Sequence, residues 1–515
     1  MRRPAVAVLL SALLAIPGVG VLPTPVGAVV TAPDVGVFAT TSLAPGLTLT
    51  DATISGPNRV TILTANLAEP TLQPTYLNPG TVSATATLTT MANRVGAVAA
   101  VNGDFFDIGA TGAPRGIGIS DGTLIHGPAS GWNNVAALFA NGAASRGAVT
   151  QIFLDATVTL PNGTRLTATN LNSPDIAANG IGVYNPLWGD QPRSQVLDGA
   201  TRAREIEITN GRVTRVSTTP GGKVANGTVV VLGVGTGADA LAGIAVGDAV
   251  TVNYAPRGGG GTPRVAIGGN LVLLQDGVPT TVSHPKNPRT AVGFSADGLT
   301  MWLVVVDGRS TTSVGMTYVE LANYMRSLGA DDAINLDGGG SSTLVARMPG
   351  ATSVSVRNTP SDGSQRAVPN GLGFVSTAQP WSTTIDNTTP GRFTASGNWG
   401  TSSYSGQRYG TDYRFANPVL ASDPAWYRVN IPETGNYRVE VWYPADPGYN
   451  DSTPFIVATT SGNQTVRVNQ RTNGGRWVSL GVFHLAAGDG DRVGVSRWTS
   501  GTGYVIADAI RVTRV

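Results

Sequence analysis

Cysteine is absent from the 515-residue chain, histidine occurs three times, and charged residues make up 13%, against about 25% in an average soluble protein. The missing cysteine excludes disulfide frameworks, thiolate zinc sites and cysteine nucleophiles together. His126, His284 and His484 stand far apart, which argues against a histidine-built metal centre. Low charge combined with 41% hydrophobic residues is the opposite of a disordered, self-repelling composition. The charge that is present is skewed. Lys223 and Lys286 are the only lysines beside 32 arginines, and six glutamates stand against 26 aspartates, so acid/base chemistry falls to aspartate. The net charge of +2 and the lack of any lysine or arginine run argue against nucleic acid as a partner.

Residues 1–28 read as an export signal. Arg2 and Arg3 precede an apolar stretch over residues 5–16, and Val26, Gly27 and Ala28 resemble a small-residue cleavage site. The apolar stretch is short for a bilayer span, so no stable membrane span is expected after cleavage. An uncleaved anchor is the alternative. Beyond it the chain is mostly β: alternating runs at 60–63 and 81–88 are broken by Gly, Pro and Asn. Residues 147–279 contain many such runs and no catalytic constellation. Six of nine tryptophans and eight of thirteen tyrosines lie in residues 381–515, which places a domain boundary near Gln379-Pro380.

Four stretches carry chemistry. The apolar run 95–101 ends in Asn102-Gly103-Asp104-Phe105-Phe106-Asp107, either a strand delivering polar side chains or an ordinary turn. Arg289 precedes an expected strand over 290–294. The run 301–306 is too continuous for a half-exposed strand and ends in Asp307-Gly308-Arg309, which fits a local ion pair or a substrate clamp. Thr317 to Glu320 fits a capping box and predicts a helix with Leu321, Met325 and Leu328 on one face, stopped at Gly329. An expected strand over 333–336 then runs into Asp337-Gly338-Gly339-Gly340-Ser341-Ser342-Thr343. Three glycines after a buried strand allow successive N–H groups to face an anionic oxygen, with Ser341 and Ser342 as added donors; a flexible hairpin is the alternative. No P-loop, dinucleotide fingerprint or nucleophile elbow is present in the sequence.

In this order, the Asn102 motif, Pro288-Arg289-Thr290-Ala291-Val292-Gly293, Asp307-Gly308-Arg309 and the Asp337 motif resemble the phosphodiester glycosidase family over residues 33–377, with Arg366 matching a further family arginine. The resemblance implies hydrolysis between a sugar anomeric carbon and a phosphodiester oxygen. It implies that Arg289, Arg309 and Arg366, with Gly338, Gly339, Gly340, Ser341 and Ser342, hold phosphate. Asp337 and Asp307 would then act at the anomeric carbon, and Asn102 and Asp104 would position the sugar. No cofactor is expected; clustered aspartates leave room for a divalent cation, although no run has calcium-loop spacing.

Residues 381–515 resemble a golvesin/xanthan-lyase carbohydrate-binding-like module through Asp386-Asn387, Ser396-Gly397-Asn398-Trp399, Gly435-Asn436-Tyr437-Arg438-Val439 and Ala507-Asp508-Ala509-Ile510. Trp399, Trp442 and Trp498, with Tyr404 and Tyr449, are candidates for a sugar-stacking platform; the alternative is core packing. The expectation is a mixed α/β, strand-rich catalytic domain over 29–378 and an all-β antiparallel sandwich over 379–515. Together they would form a secreted or cell-envelope hydrolase whose partner is a phosphorylated glycan or cell-envelope polysaccharide. A non-catalytic polysaccharide-binding protein is the alternative.

Overall fold

The computed structural model describes residues 35–258, 260–378 and 381–515; the expected export signal lies outside them. Strands make up 47% of the chain and helices 6%, so the strand-rich expectation holds and the mixed α/β label overstates the helix. Among the described residues, no helix is long and apolar enough to cross a membrane.

An eight-stranded antiparallel sheet contains, as neighbours in its middle, Asn58–Asn66, Thr300–Val306, Arg289–Phe294 and Asp332–Asn335. A five-stranded sheet has Leu344–Ala346, Ala99–Asn102 and Gly371–Ser376 side by side. The two sheets share one core, in which Leu303, Val305, Val292 and Ile334 of the first meet Ala99, Val101, Leu344, Leu372 and Phe374 of the second. The outer face of the first sheet is covered in turn: Val304, Val306 and Ala291 pack with Leu321, Ala322 and Met325 of the helix Tyr318–Ser327. This double burial explains the unbroken apolar run at 301–306, because residues facing either way are out of water. The helix has the expected capping box, with Thr317 and Glu320 each accepting from the other's main-chain N–H.

Residues 81–88 depart from the alternating-strand expectation. Only Ala86–Thr87 is extended, and the short helix Leu88–Arg94 follows, capped by the Thr87 hydroxyl. Leu88, Met91 and Ala92 pack on Ala100 and Val345, covering the outer face of the five-stranded sheet. Burial on that sheet overrides the β-leaning local composition.

Within 147–279, the 16-residue strand Ala144–Thr159 pairs with Asn134–Asn141, Arg165–Thr167 and Thr251–Gly258, and a separate five-stranded sheet lies between residues 170 and 217 and at Thr228–Val234. Strands between 382 and 514 pair only with one another. There, alternate residues Tyr437, Val439 and Val441 of Gly435–Trp442 share a core with Tyr427 and Val429 of Ala425–Ile431 and with Val493 and Val495 of Gly488–Val495. Two antiparallel sheets with alternate residues in a common core make a sandwich.

Candidate active site at the converging strand ends

The strand register brings the four sequence stretches together. Arg289 lies opposite Val306, and Ala291 opposite Asn335, so Asp307 and Asp337 both emerge from the end of the eight-stranded sheet. The end of Ala99–Asn102 joins them from the other sheet through the Asp337 N–H, which donates to Gly103 O at 2.9 Å.

Asn102 is fully buried and every polar atom of its side chain is engaged. Nδ2 donates to Asp337 O (2.8 Å), and Oδ1 accepts from the Thr290 hydroxyl (2.8 Å) and the Thr343 N–H (3.0 Å). It braces the loop that carries Asp337.

Asp337 is half-buried. Burial raises it to about 6, against the lowering effects of the Ser341 hydroxyl, the Gly338 N–H and Arg366. It is therefore largely ionised at neutral pH.

The glycines that follow do not form a row of free N–H donors. Gly338 N–H closes on Asp337 Oδ1 (2.9 Å), Gly339 N–H on Pro288 O (2.9 Å), and the Ser341 and Ser342 N–H groups on Gly338 O and Gly339 O in a 3-10 turn. The glycines make room instead. A Cβ on Gly338 would lie 2.8 Å from Pro288 O, one on Gly339 would lie 3.0 Å from Arg309 Nη2, and one on Gly340 would lie 2.1 Å from Arg366 Nη2. Two guanidinium groups thus rest against consecutive glycines.

Arg366 is paired with Asp362 (2.7 Å) and donates weakly to Ser341 Oγ (3.4 Å). Arg309 is exposed, has left-handed backbone at φ +61°, and makes only long contacts to Asn287 Oδ1, 3.2 and 3.3 Å. Such a backbone is uncommon for arginine and costs about 1 kcal/mol or more. Arg289 is different. It is buried, donates to Met316 O and Pro285 O, and lies 4.2 Å over the Tyr318 ring, so it supports the loop beneath the site instead of facing solvent.

Asp307 is also committed. Its oxygens accept from the Thr359 N–H and from Asn358 Nδ2, which also donates to Ser342 O. Burial raises its pKa, opposed by those donors. Asp307 ties residues 358–359 to the serine turn.

Asp104 lies deeper, packed against Gly116 and Gly268, with Oδ2 accepting from the Gly116 N–H and Oδ1 buried without a partner. Burial is the main cause raising it to about 8, and the Asp337 charge adds to the rise. A ring of buried groups surrounds it. Asp104 N–H donates to Asn370 Oδ1 (2.8 Å) and Asn370 Nδ2 to Tyr76 Oη (3.0 Å). Tyr76 Oη meets His126 Nε2 (2.9 Å), and His126 Nδ1 meets Gly116 O (3.0 Å). Because Gly116 O can only accept, His126 carries its proton on Nδ1 and accepts from Tyr76. Burial lowers His126 to about 4, so it stays neutral.

Tyr76, His126, Asn358 and Asn370 were not legible as site residues. Their partners are distant in sequence, and the scarcity of histidine was the one signal that drew attention to His126. A separate group, Asp276, Asp331 and Asp332, brings carboxylate oxygens within 4.8 Å of one another at the opposite end of the strand that leads to Asp337.

In the second sandwich, the Trp399 expectation is corrected. It is 4% exposed, with its indole N–H directed to Asp423 O, because it fills the core. Tyr449 is buried as well. Trp442 is half-buried in a cluster with Tyr409 and Trp477, whereas Trp498 is 54% and Tyr404 83% exposed.

Comparison with known proteins agrees with both resemblances. Residues 203–375 match the family model for phosphodiester glycosidase, and residues 383–514 match that for the Golvesin C-terminal domain. The chain is 32% identical over 134 residues to xanthan lyase of Bacillus sp. (strain GL1), covering 25% of this chain and 14% of the relative. It is 37% identical over 103 residues to the SPbeta prophage-derived uncharacterized protein YomE of Bacillus subtilis (strain 168), covering 19% and 15%. The chain thus spans only about a seventh of the length of these relatives. A hypothetical protein from Synechocystis superposes with a TM-score of 0.54 at 24% identity, over 67% of this chain and 64% of that one, a likeness of fold. The glycosidase match begins after Asn102 and Asp104; strand pairing brings these two to the matched residues.

Proposed function

We propose that the chain is an exported glycosidase that hydrolyses a sugar-1-phosphodiester, releasing a sugar such as N-acetylglucosamine from a phosphorylated glycan, and that residues 381–515 tether it to polysaccharide. The observation that carries this reading is the ionised carboxylate of half-buried Asp337 beside a loop flanked by Arg309 and Arg366, with Asp104 still protonated beneath. Asp337 acts at the anomeric carbon, as nucleophile or as base for water. The leaving group is a phosphomonoester with a second pKa of about 6. It departs with little need of a proton, and neutralising its charge falls to the two arginines. The proton retained by Asp104 keeps a second negative charge away from the phosphate. Asn102 and Asp307 hold the loops that carry Asp337 and Ser342.

Incubation with a chromogenic sugar-1-phosphodiester tests the proposal. Release of free sugar by the full chain, reduced about 10²–10⁴-fold in a folded Asp337→Asn variant, supports it. No release, with retained binding of phosphorylated glycan, supports the non-catalytic alternative. Equal release by the variant overturns the assignment of Asp337.

A further inference from the structure

Among the described residues, the second sandwich contains buried polar atoms with no hydrogen-bond partner. Asp508 is 2% exposed; its Oδ2 accepts from the Tyr409 N–H (3.0 Å), while Oδ1 is buried without a partner. Asp386 shows the same imbalance. Its Oδ2 accepts from the Thr388 hydroxyl and lies against Gly410, where a Cβ would come within 2.6 Å, and its Oδ1 is buried and unpartnered. Tyr409 and Gly410 are consecutive, so the two carboxylates abut one stretch of backbone.

Asn387, 4% exposed, donates Nδ2 to Asp412 Oδ1 (2.6 Å) and also leaves its buried Oδ1 unpartnered. A fourth group comes from the facing sheet. Tyr427 is fully buried and its hydroxyl has no partner; burial is the main cause raising its pKa, and Asp508 and Asp386 add to the rise.

Four orphaned oxygens in one module run against the rule that buried polar groups are paired, and three of them belong to neighbouring residues, because Asp386 precedes Asn387 and the Asn387 N–H donates to Asp508 O at 2.8 Å. Two of them belong to carboxylates that interact unfavourably with each other and with Asp412. Among the described residues, no arginine forms an ion pair with either of them, and the ion pairs of this module leave out Asp412 as well. Arg408, whose charge lowers the Asp508 pKa, directs Nε and Nη1 to the carbonyls of Thr411, Ser403 and Ser405.

We infer that Asp386, Asn387 and Asp508 bind a hard divalent cation, calcium by its tolerance of irregular oxygen sets. The donor chemistry supports this: two carboxyl groups and an amide oxygen, no nitrogen or sulfur, with Asp412 bonded to Asn387 behind them. The position gives the ion a structural task. Asp386 ends the first strand of the module, Ser382–Asp386, and lies opposite Ala509 in the last, Ala509–Arg514, while Asp508 holds the Tyr409 backbone. The cation therefore fastens the two ends of the sandwich to the loop that carries Tyr409, whose ring packs on Trp442 and Trp477.

The test uses the full chain after treatment with chelator, titrated with calcium or magnesium chloride and followed by calorimetry and thermal melting. A saturable heat and a rise in the module's melting temperature at calcium on the order of 10⁻⁴–10⁻³ M, the range of extracellular modules, support the site. Both should be lost in Asp508→Asn and in Asp386→Asn and retained in Asp332→Asn, which alters the other acidic group. No heat and no shift with either ion in the unsubstituted chain overturns the inference and leaves a protonated carboxyl pair. A shift that survives both module variants overturns it too. None of these outcomes depends on hydrolysis at Asp337.

Discussion

Asn102 Nδ2 donates to the main-chain oxygen of Asp337 at 2.8 Å, so a residue ending one sheet fixes the carboxylate carried by the other. Removing this side chain strands the Asp337 carbonyl and the Thr343 N–H in a buried position. Asn102→Ala should cost about 2–4 kcal/mol in denaturant unfolding. Sugar release should fall in the fraction that remains folded. Asn102→Asp should not rescue, because a carboxylate cannot donate to Asp337 O. Full turnover in a stable Asn102→Ala variant would remove Asn102 from the positioning of Asp337.

Gly340 has no room for a side chain: its Cβ would lie 2.1 Å from both Arg366 Nη2 and Asp362 Oδ2. Gly340→Ala must push this ion pair away from the turn. With Arg366 displaced, phosphate loses one of its two flanking cations, and KM should rise about tenfold or more, a loss of roughly 1.4 kcal/mol. Steady-state kinetics on a sugar-1-phosphodiester measures this. An unchanged KM would mean that Arg366 does not contact phosphate.

Asp104 and His126 make opposite contributions to stability as pH changes. The Asp104 carboxyl moves from an ordinary 3.8 to about 8 on folding. Between these values the folded chain holds a proton that the unfolded chain has lost, so stability falls as pH rises, by at most about 1.4 kcal/mol per pH unit. His126 moves from 6.5 down to about 4; there the unfolded chain holds the extra proton, and stability rises with pH over that window. The two oppose each other up to pH 6.5, and above it Asp104 acts without His126. Asp104→Asn should therefore lessen the decline between pH 6.5 and 8 in urea titrations, leaving the share of Asp508, which burial also raises to about 8. A variant whose slope there matches the parent would show Asp104 ionised in the folded state.

Much of this arrangement could be read from the sequence because it is local. The run at 301–306, the capping box at Thr317 and the aspartate before three glycines each carry their reason within a few residues. The purpose of the glycines was not legible. From sequence they promised N–H donors, but the arginines that fill the space above Gly339 and Gly340 come from residues 309 and 366. The same holds for Arg289. Its motif is plain, yet its burial under Tyr318 depends on a helix formed later in the chain. The helix at Leu88–Arg94 was missed because its apolar face is short and its composition is β-leaning. Asn370, Tyr76 and His126 belong to three separate strands or turns, and only the closed fold makes them neighbours of Asp104.

Exposure divides the aromatic candidates in the second sandwich into two groups with opposite expected phenotypes. Trp399 fills the core, so Trp399→Ala should cost about 3–5 kcal/mol and lower the melting temperature of the module. Any loss of polysaccharide retention would then follow from unfolding. Trp498 and Tyr404 present their rings to solvent, and their truncation should alter stability by no more than about 0.5 kcal/mol. Because sugar rings stack on free aromatic faces, Trp498→Ala and Tyr404→Ala should weaken retention in affinity gels cast with polysaccharide while melting stays unchanged. If both variants migrate like the parent chain in every polysaccharide that retards it, the exposed rings are not the tether. The half-buried group of Tyr409, Trp442 and Trp477 would then be the surface to truncate next.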